Sequence, residues 1–195
     1  YNISTTEGTL EVTGLEDSKK HTAEVTAPSK EDTYDGTEKS AGTELTGTTF
    51  KWKDQTYTIK GLTSANVTKT DAGEYANKVN GTAKVLDAAG NDVTAQFKVT
   101  KKAGKLTIKT RQVTLTSATA SKPYDGTPLT NDTVTVGGQG FVEGQGATYK
   151  VTGSQTVVGR SANEFSYKLT EGTNADNYNI STTEGTLEVT GLEDS

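Results

Sequence analysis

Residues 178–190, Tyr178-Asn179-Ile180-Ser181-Thr182-Thr183-Glu184-Gly185-Thr186-Leu187-Glu188-Val189-Thr190, place apolar side chains at every second position in two short runs, Tyr178 with Ile180 and Leu187 with Val189, parted by Glu184-Gly185. Alternation with period two marks a strand with one buried face, and Gly between two such runs marks a turn. A diverged copy lies upstream, Phe97 and Val99, then Gly104, then Leu106 and Ile108. The same alternation recurs at Phe50 and Trp52, Tyr57 and Ile59, Val134 and Val136, Tyr149 and Val151, and Phe165, Tyr167 and Leu169, with no helical stripe anywhere. Composition agrees: 38 Thr favour strands, 21 Gly favour turns, and there are only 3 Pro. The expected class is all-β with little or no helix, as an immunoglobulin-like sandwich or a β-grasp-like sheet.

The opening stretch belongs to a repeat. Residues 178–195 recur unchanged at 1–18, an offset of 177 residues, as in a slice of a longer array. Inside that period the halves answer each other. Thr33-Tyr34-Asp35-Gly36-Thr37 matches Pro123-Tyr124-Asp125-Gly126-Thr127, the run Thr56–Gly61 matches Thr148–Gly153, and Ala76-Asn77 matches Ala162-Asn163. Drifting offsets between these anchors mean loops that changed length between kept strands. The boundaries read as 1–18, tail strands of a preceding B-type repeat; 19–110, module A; 111–190, module B; and 191–195, the start of the next linker. Two small modules in tandem give an elongated particle. The A to B junction, Lys105–Thr116, has neither Gly nor Pro and predicts a stiff connection, whereas Gly14–Lys20, polar and Gly-containing, predicts more bending.

Composition excludes several classes of function. There is no Cys, so no disulfide framework and no thiolate nucleophile or metal ligand, and one His cannot build a His-based metal cluster. No run reaches the ~18–20 apolar residues of a membrane-spanning helix. His21 lacks the nucleophile setting and orienting carboxylate that catalysis needs, so neither an enzyme nor a cofactor is expected. Charge is uneven: residues 19–112 hold 16 Lys+Arg against 11 Asp+Glu, while 113–195 hold 4 against 10. Alternating signs favour an A to B interface and solubility, and a basic module could also attract acidic glycans. Acidic partner modules disfavour nucleic acid.

The ordered set KPYDGTPLTNDTVTV, a Gly-containing turn and TNADNYNISTTEGTLEVT, with EDTYDGTEKSAGTEL, TDAGEY and AQFKVTKKAGKLTIK in module A, resembles the YDG and MBG-type tandem repeats of large bacterial surface proteins, many of them Gram-positive and wall-anchored. The resemblance covers nearly the whole chain. It implies β-rich modules used in tandem in exported, adhesin-like proteins at the cell surface, anchored through regions outside this segment, and carries over no binding site.

The signature residues Tyr34, Asp35, Gly36, Tyr124, Asp125 and Gly126 read as structural: Asp caps a turn, Gly takes a positive φ and Tyr packs at the core edge. Asp71-Ala72-Gly73-Glu74-Tyr75 resembles the tyrosine corner of immunoglobulin-like sheets. Asp87, Asn91 and Asp92, or Asn174, Asp176 and Asn177, could offer oxygens to Ca²⁺, although neither set fits an EF-hand loop and turns are the simpler reading. The candidate ligand-binding residues are Trp52, Lys51 and Lys53, an aromatic ring among lysines, with host mucin or glycans as the partner and neighbouring repeat modules as the other partner. Phe50 shares the face of Trp52, which favours a core role for that ring.

Overall fold

The computed structural model describes residues 1–192; Glu193, Asp194 and Ser195, in the stretch read as the start of a linker, lie outside the described residues. The chain is all-β and sandwich-like, and its longest helical segments are three-residue 3-10 turns. In the first half the strands are β1 (His21–Thr26), β2 (Lys30–Thr33), β3 (Lys39–Ser40), β4 (Thr49–Trp52), β5 (Gln55–Ser64), β6 (Thr68–Lys69), β7 (Gly73–Asn77), β8 (Val79–Leu86), β9 (Phe97–Lys102) and β10 (Gly104–Lys109). The second half holds β11 (Arg111–Ser117), β12 (Ala120–Pro123), β13 (Val134–Gly138), β14 (Ala147–Val151), β15 (Gly159–Ala162), β16 (Phe165–Leu169), β17 (Tyr178–Thr183) and β18 (Thr186–Thr190). Every alternating pair of the sequence reading falls in a strand.

The chain divides into two compact units, residues 1–30, 40–67 and 75–106 in the first, and 31–39, 68–74 and 107–195 in the second. The segments 31–39 and 68–74 of the first repeat thus belong to the second unit.

In the first unit β1 runs parallel to β9 from His21 opposite Phe97 to Thr26 opposite Lys102, and β4, β5 and β8 form an antiparallel sheet. The core between them is Ala23, Val25, Ile59, Val79, Val85 and Phe97, with Val25 and Val85 fully buried. The second unit repeats this plan. Its first strand β11 runs parallel to β17, with Arg111 opposite Tyr178, and antiparallel to β13. Val113, Leu115, Leu187 and Val189 are buried to 1% exposure or less.

In both repeats the first and last strands break at the same height and continue in another sheet, β1 into β2 and β11 into β12, β9 into β10 and β17 into β18. A break frees backbone carbonyls inside the protein, where an unpaired one costs about 1–3 kcal/mol. A fully buried Asn answers this in each half. The Asn77 amide donates to Pro28 O at 3.0 Å and to Ser64 Oγ, and its oxygen accepts the Val67 N–H; the Asn163 amide donates to Ala118 O and Asn131 O, both at 3.0 Å. Close passage of the last strand over the break leaves no room for a Cβ. One placed on Gly104 would lie 2.1 Å from Pro28 O, and one on Gly185 2.3 Å from Ala118 O. Gly104 and Gly185 are therefore fixed by sterics.

Residues 1–16 carry no helix or strand and are exposed, although 1–18 match 178–195 letter for letter. Leu10 is 101% exposed and Leu187 0%; Val12 is 95% exposed and Val189 1%. Context decides: β17 and β18 have β11, β12 and β15 beside them, whereas residues 1–16 pair with no strand. Strand propensity needs a paired, half-buried surface to act on. Leu187→Ala is expected to cost about 2–5 kcal/mol of stability as a core truncation, whereas Leu10→Ala changes it by less than about 0.5 kcal/mol. Urea unfolding of the two variants checks this.

Candidate functional site

Two places gather side chains that the sequence singles out, one in each unit. In the first unit the β4–β5 hairpin turns through Lys53 and Asp54, both at positive φ (47° and 62°), as a two-residue hairpin loop requires. This tight turn holds Trp52 opposite Gln55 and on the same face as Phe50. Trp52 is half-buried and stands edge-on to Phe97 at 5.6 Å and to Tyr57 at 6.4 Å, with the His21 ring 6.5 Å away and stacked on Phe50 at 5.9 Å. Lys53 Nζ lies 4.7 Å from the Trp52 ring centroid, a cation–π contact. Lys51 alternates to the other face and does not join the group. Trp52, Tyr57, Asp87, Val93, Gln96 and Phe97 line a cavity of about 240 Å³ together with Val12, Thr13 and Leu15; the Leu15 N–H donates to Gln96 Oε1 at 3.0 Å. His21, Tyr57 and Phe97 were not among the candidate residues. Their common site depends on the parallel β1–β9 register, which alternation alone does not encode.

In the second unit the signature tyrosine of the first repeat is buried. Tyr34, 4% exposed, stands edge-on to Tyr178 at 5.6 Å, and Phe141 also packs against Tyr178 at 5.2 Å. Gln145 joins the two phenols: its amide donates to Tyr34 Oη at 2.8 Å, and its carbonyl oxygen accepts from Tyr178 Oη. Arg111 donates to the carbonyls of Gly140 and Gln139, and the Val142 side chain lies where a Cβ on Gly36 would stand, at 2.9 Å. Burial raises the Tyr178 phenol above its usual value. Nearby, Asn177 accepts the Ala72 N–H at 2.8 Å and donates to Asp71 at 3.0 Å. The segments 31–39 and 68–74 are therefore fastened to residues 111 and 139–178 by specific polar and aromatic contacts. Tyr124, the matching residue of the second repeat, is 42% exposed.

The two Tyr-Asp-Gly turns are built alike. Asp35 Oδ1 accepts from the Thr37 N–H at 2.9 Å and hydroxyl at 2.6 Å, and Asp125 Oδ1 from those of Thr127 at 2.9 and 2.7 Å; Gly36 and Gly126 take φ of 81° and 80°. Each carboxylate also pairs with a lysine, Asp35 with Lys39 at 2.6 Å and Asp125 with Lys122 at 2.9 Å, so one sits after its turn and the other before. The lysine, then the threonine hydroxyl and N–H, hold both carboxyls well below the usual carboxylate range. The calcium candidates likewise serve turns: Asp87 accepts N–H groups of Ala89 and Asn91, Asp92 caps Thr94, and Asn174 caps Asp176. Among the described residues no group of three or more His, Cys, Asp or Glu is placed to hold a metal ion, and no helix is long and apolar enough to cross a membrane.

A carboxyl whose folded pKa is depressed stabilises the fold above its unfolded pKa and loses that contribution as pH falls toward the folded value. Asp35 and Asp125 thus stabilise above about pH 4 and cease to do so progressively below it. Asp35→Asn/Asp125→Asn is expected to flatten the acid side of the unfolding midpoint plotted against pH; an unchanged acid limb rejects the assignment.

No protein-family model, no curated protein and no solved structure matches the chain.

Proposed function

We propose that the chain is a structural stalk, a run of spacer modules of a bacterial surface adhesin that carries a distal binding region away from the cell. The observation that carries this reading is the unchanged recurrence of residues 1–18 at 178–195, which makes copy number adjustable without altering any junction. The resemblance of the ordered YDG-containing segments to surface-protein repeats supports it. So does the fastening of segments 31–39 and 68–74 of the first repeat to residues 111–178, which ties part of one repeat into the same compact unit as the next. The reading assigns the chain no catalytic step.

A second reading, weak multivalent binding of host mucin or glycan, draws on Trp52 and Lys53 beside their cavity, an aromatic and cationic surface of the kind sugars and their acidic groups engage.

Small-angle X-ray scattering of the chain and of a head-to-tail chain two periods long tests the stalk. A maximum dimension that grows in proportion to the number of periods is expected; scattering typical of freely jointed or kinked modules rejects it. Mucin and glycan-panel binding at physiological and high salt tests the alternative. Saturable, glycan-selective binding that survives salt and is lost in Trp52→Ala would replace the stalk with an adhesive module.

A further inference from the structure

The aromatic cavity of the first unit is lined by Phe97, and the residue at the matching register in the second unit, Tyr178, carries Tyr34. Tyr178 is the first residue of β17 and faces Arg111, the first of β11; Phe97 is the first residue of β9 and faces His21, the first of β1. Phe97 is therefore the counterpart of Tyr178. Tyr34 stands edge-on to Tyr178, while Phe97 lines the cavity with Trp52 and Tyr57.

The chain path indicates what fills it. Tyr124 reaches the end of its module by donating its N–H to Thr190 O at 2.9 Å, as Tyr34 donates to Lys109 O at 2.8 Å. Residues 178–195 repeat residues 1–18, so the first copy of Thr190 is Thr13. Thr13 is among the residues that line the cavity. A B-type module ending in residues 1–13 therefore brings its own Tyr124 to the mouth of this cavity. That tyrosine is exposed in the present chain; the sequence of its half, residues 113–195, carries a net charge of −6, and that of the receiving half, residues 19–112, carries +5. Complementary charge steers and orients such a contact.

We propose that the cavity lined by Trp52, Tyr57 and Phe97 is the seat of Tyr124 from the preceding B-type module of a head-to-tail second copy, so that the signature tyrosine of each module is its anchor on the next. This deepens the stalk reading and rests on its premise of consecutive periods. It also assigns the Gly-containing B to A junction a docked geometry, where Gly14–Lys20 alone predicts bending.

The test is a chain of two periods, residues 1–177 followed directly by 1–195, which reproduces the natural seam. With Trp52→Phe in the first copy, Trp52 of the second copy is the only tryptophan. Its acrylamide quenching is expected to fall about two-fold relative to Trp52 in the one-period chain, as an aromatic partner covers the ring. Tyr124→Ala in the first copy returns quenching to the one-period level, and Tyr124→Phe, which keeps the ring, preserves protection. Unchanged unfolding of one-period Tyr124→Ala shows that the module itself stays intact. Quenching equal in one and two periods, or protection that survives Tyr124→Ala, overturns the proposal. Scattering of the same chain separates the two readings: a stiff particle with an unprotected Trp52 discards the seat and keeps the stalk, and a protected Trp52 in a freely jointed chain discards the stalk and keeps the seat.

Discussion

Parallel pairing between the first and last strands of each repeat is the constraint on which the remaining structure depends. Neither repeat can close until its C-terminal stretch returns to lie along its N-terminal one, β9 on β1 and β17 on β11. Because both strands of each pair then step into another sheet, a single crossing point couples the sheets of a module. The buried amides of Asn77 and Asn163 satisfy the carbonyls released there, and the missing Cβ of Gly104 and Gly185 lets the strands pass. These few atoms allow a chain with only 30% hydrophobic residues and small cores to specify its sheets.

Most strands were legible because one face of each is buried, and the period of two follows from that alone: Tyr57 with Ile59 and Leu187 with Val189 lie where alternation puts them. Which strands neighbour each other was not legible, since alternation reports a face and not a partner. The repeated Asn and Gly were visible as anchors, but their task arises only where two strands cross. Lys51 and Lys53 flank Trp52 equally in sequence, yet the left-handed turn folds one over the ring and alternation sends the other away. Residues 1–18 set the limit most sharply, because the same letters form two strands at one end of the chain and none at the other.

The signature turns show how one local solution is kept while its surroundings change. Asp, Gly and Thr keep their positions and their hydrogen bonds in both repeats, and the lysine that neutralises the carboxylate has moved from four residues after Asp35 to three before Asp125. Electrostatic need fixes a charge in space and leaves its place in the chain free. The tyrosine ahead of each turn is buried in one copy and exposed in the other. Its burial is therefore not set by its own turn.

Parallel first and last strands also determine how a module carries load. A pull applied at Arg111 and at Thr190 draws β11 and β18 out at opposite ends, so the six paired positions of β11 with β17 and the four of β12 with β18 are strained together, in shear. A hairpin pulled from its open end gives way one bond at a time. In this arrangement, parting β11 from β17 and β12 from β18 loads the whole row of paired positions together and not one after another.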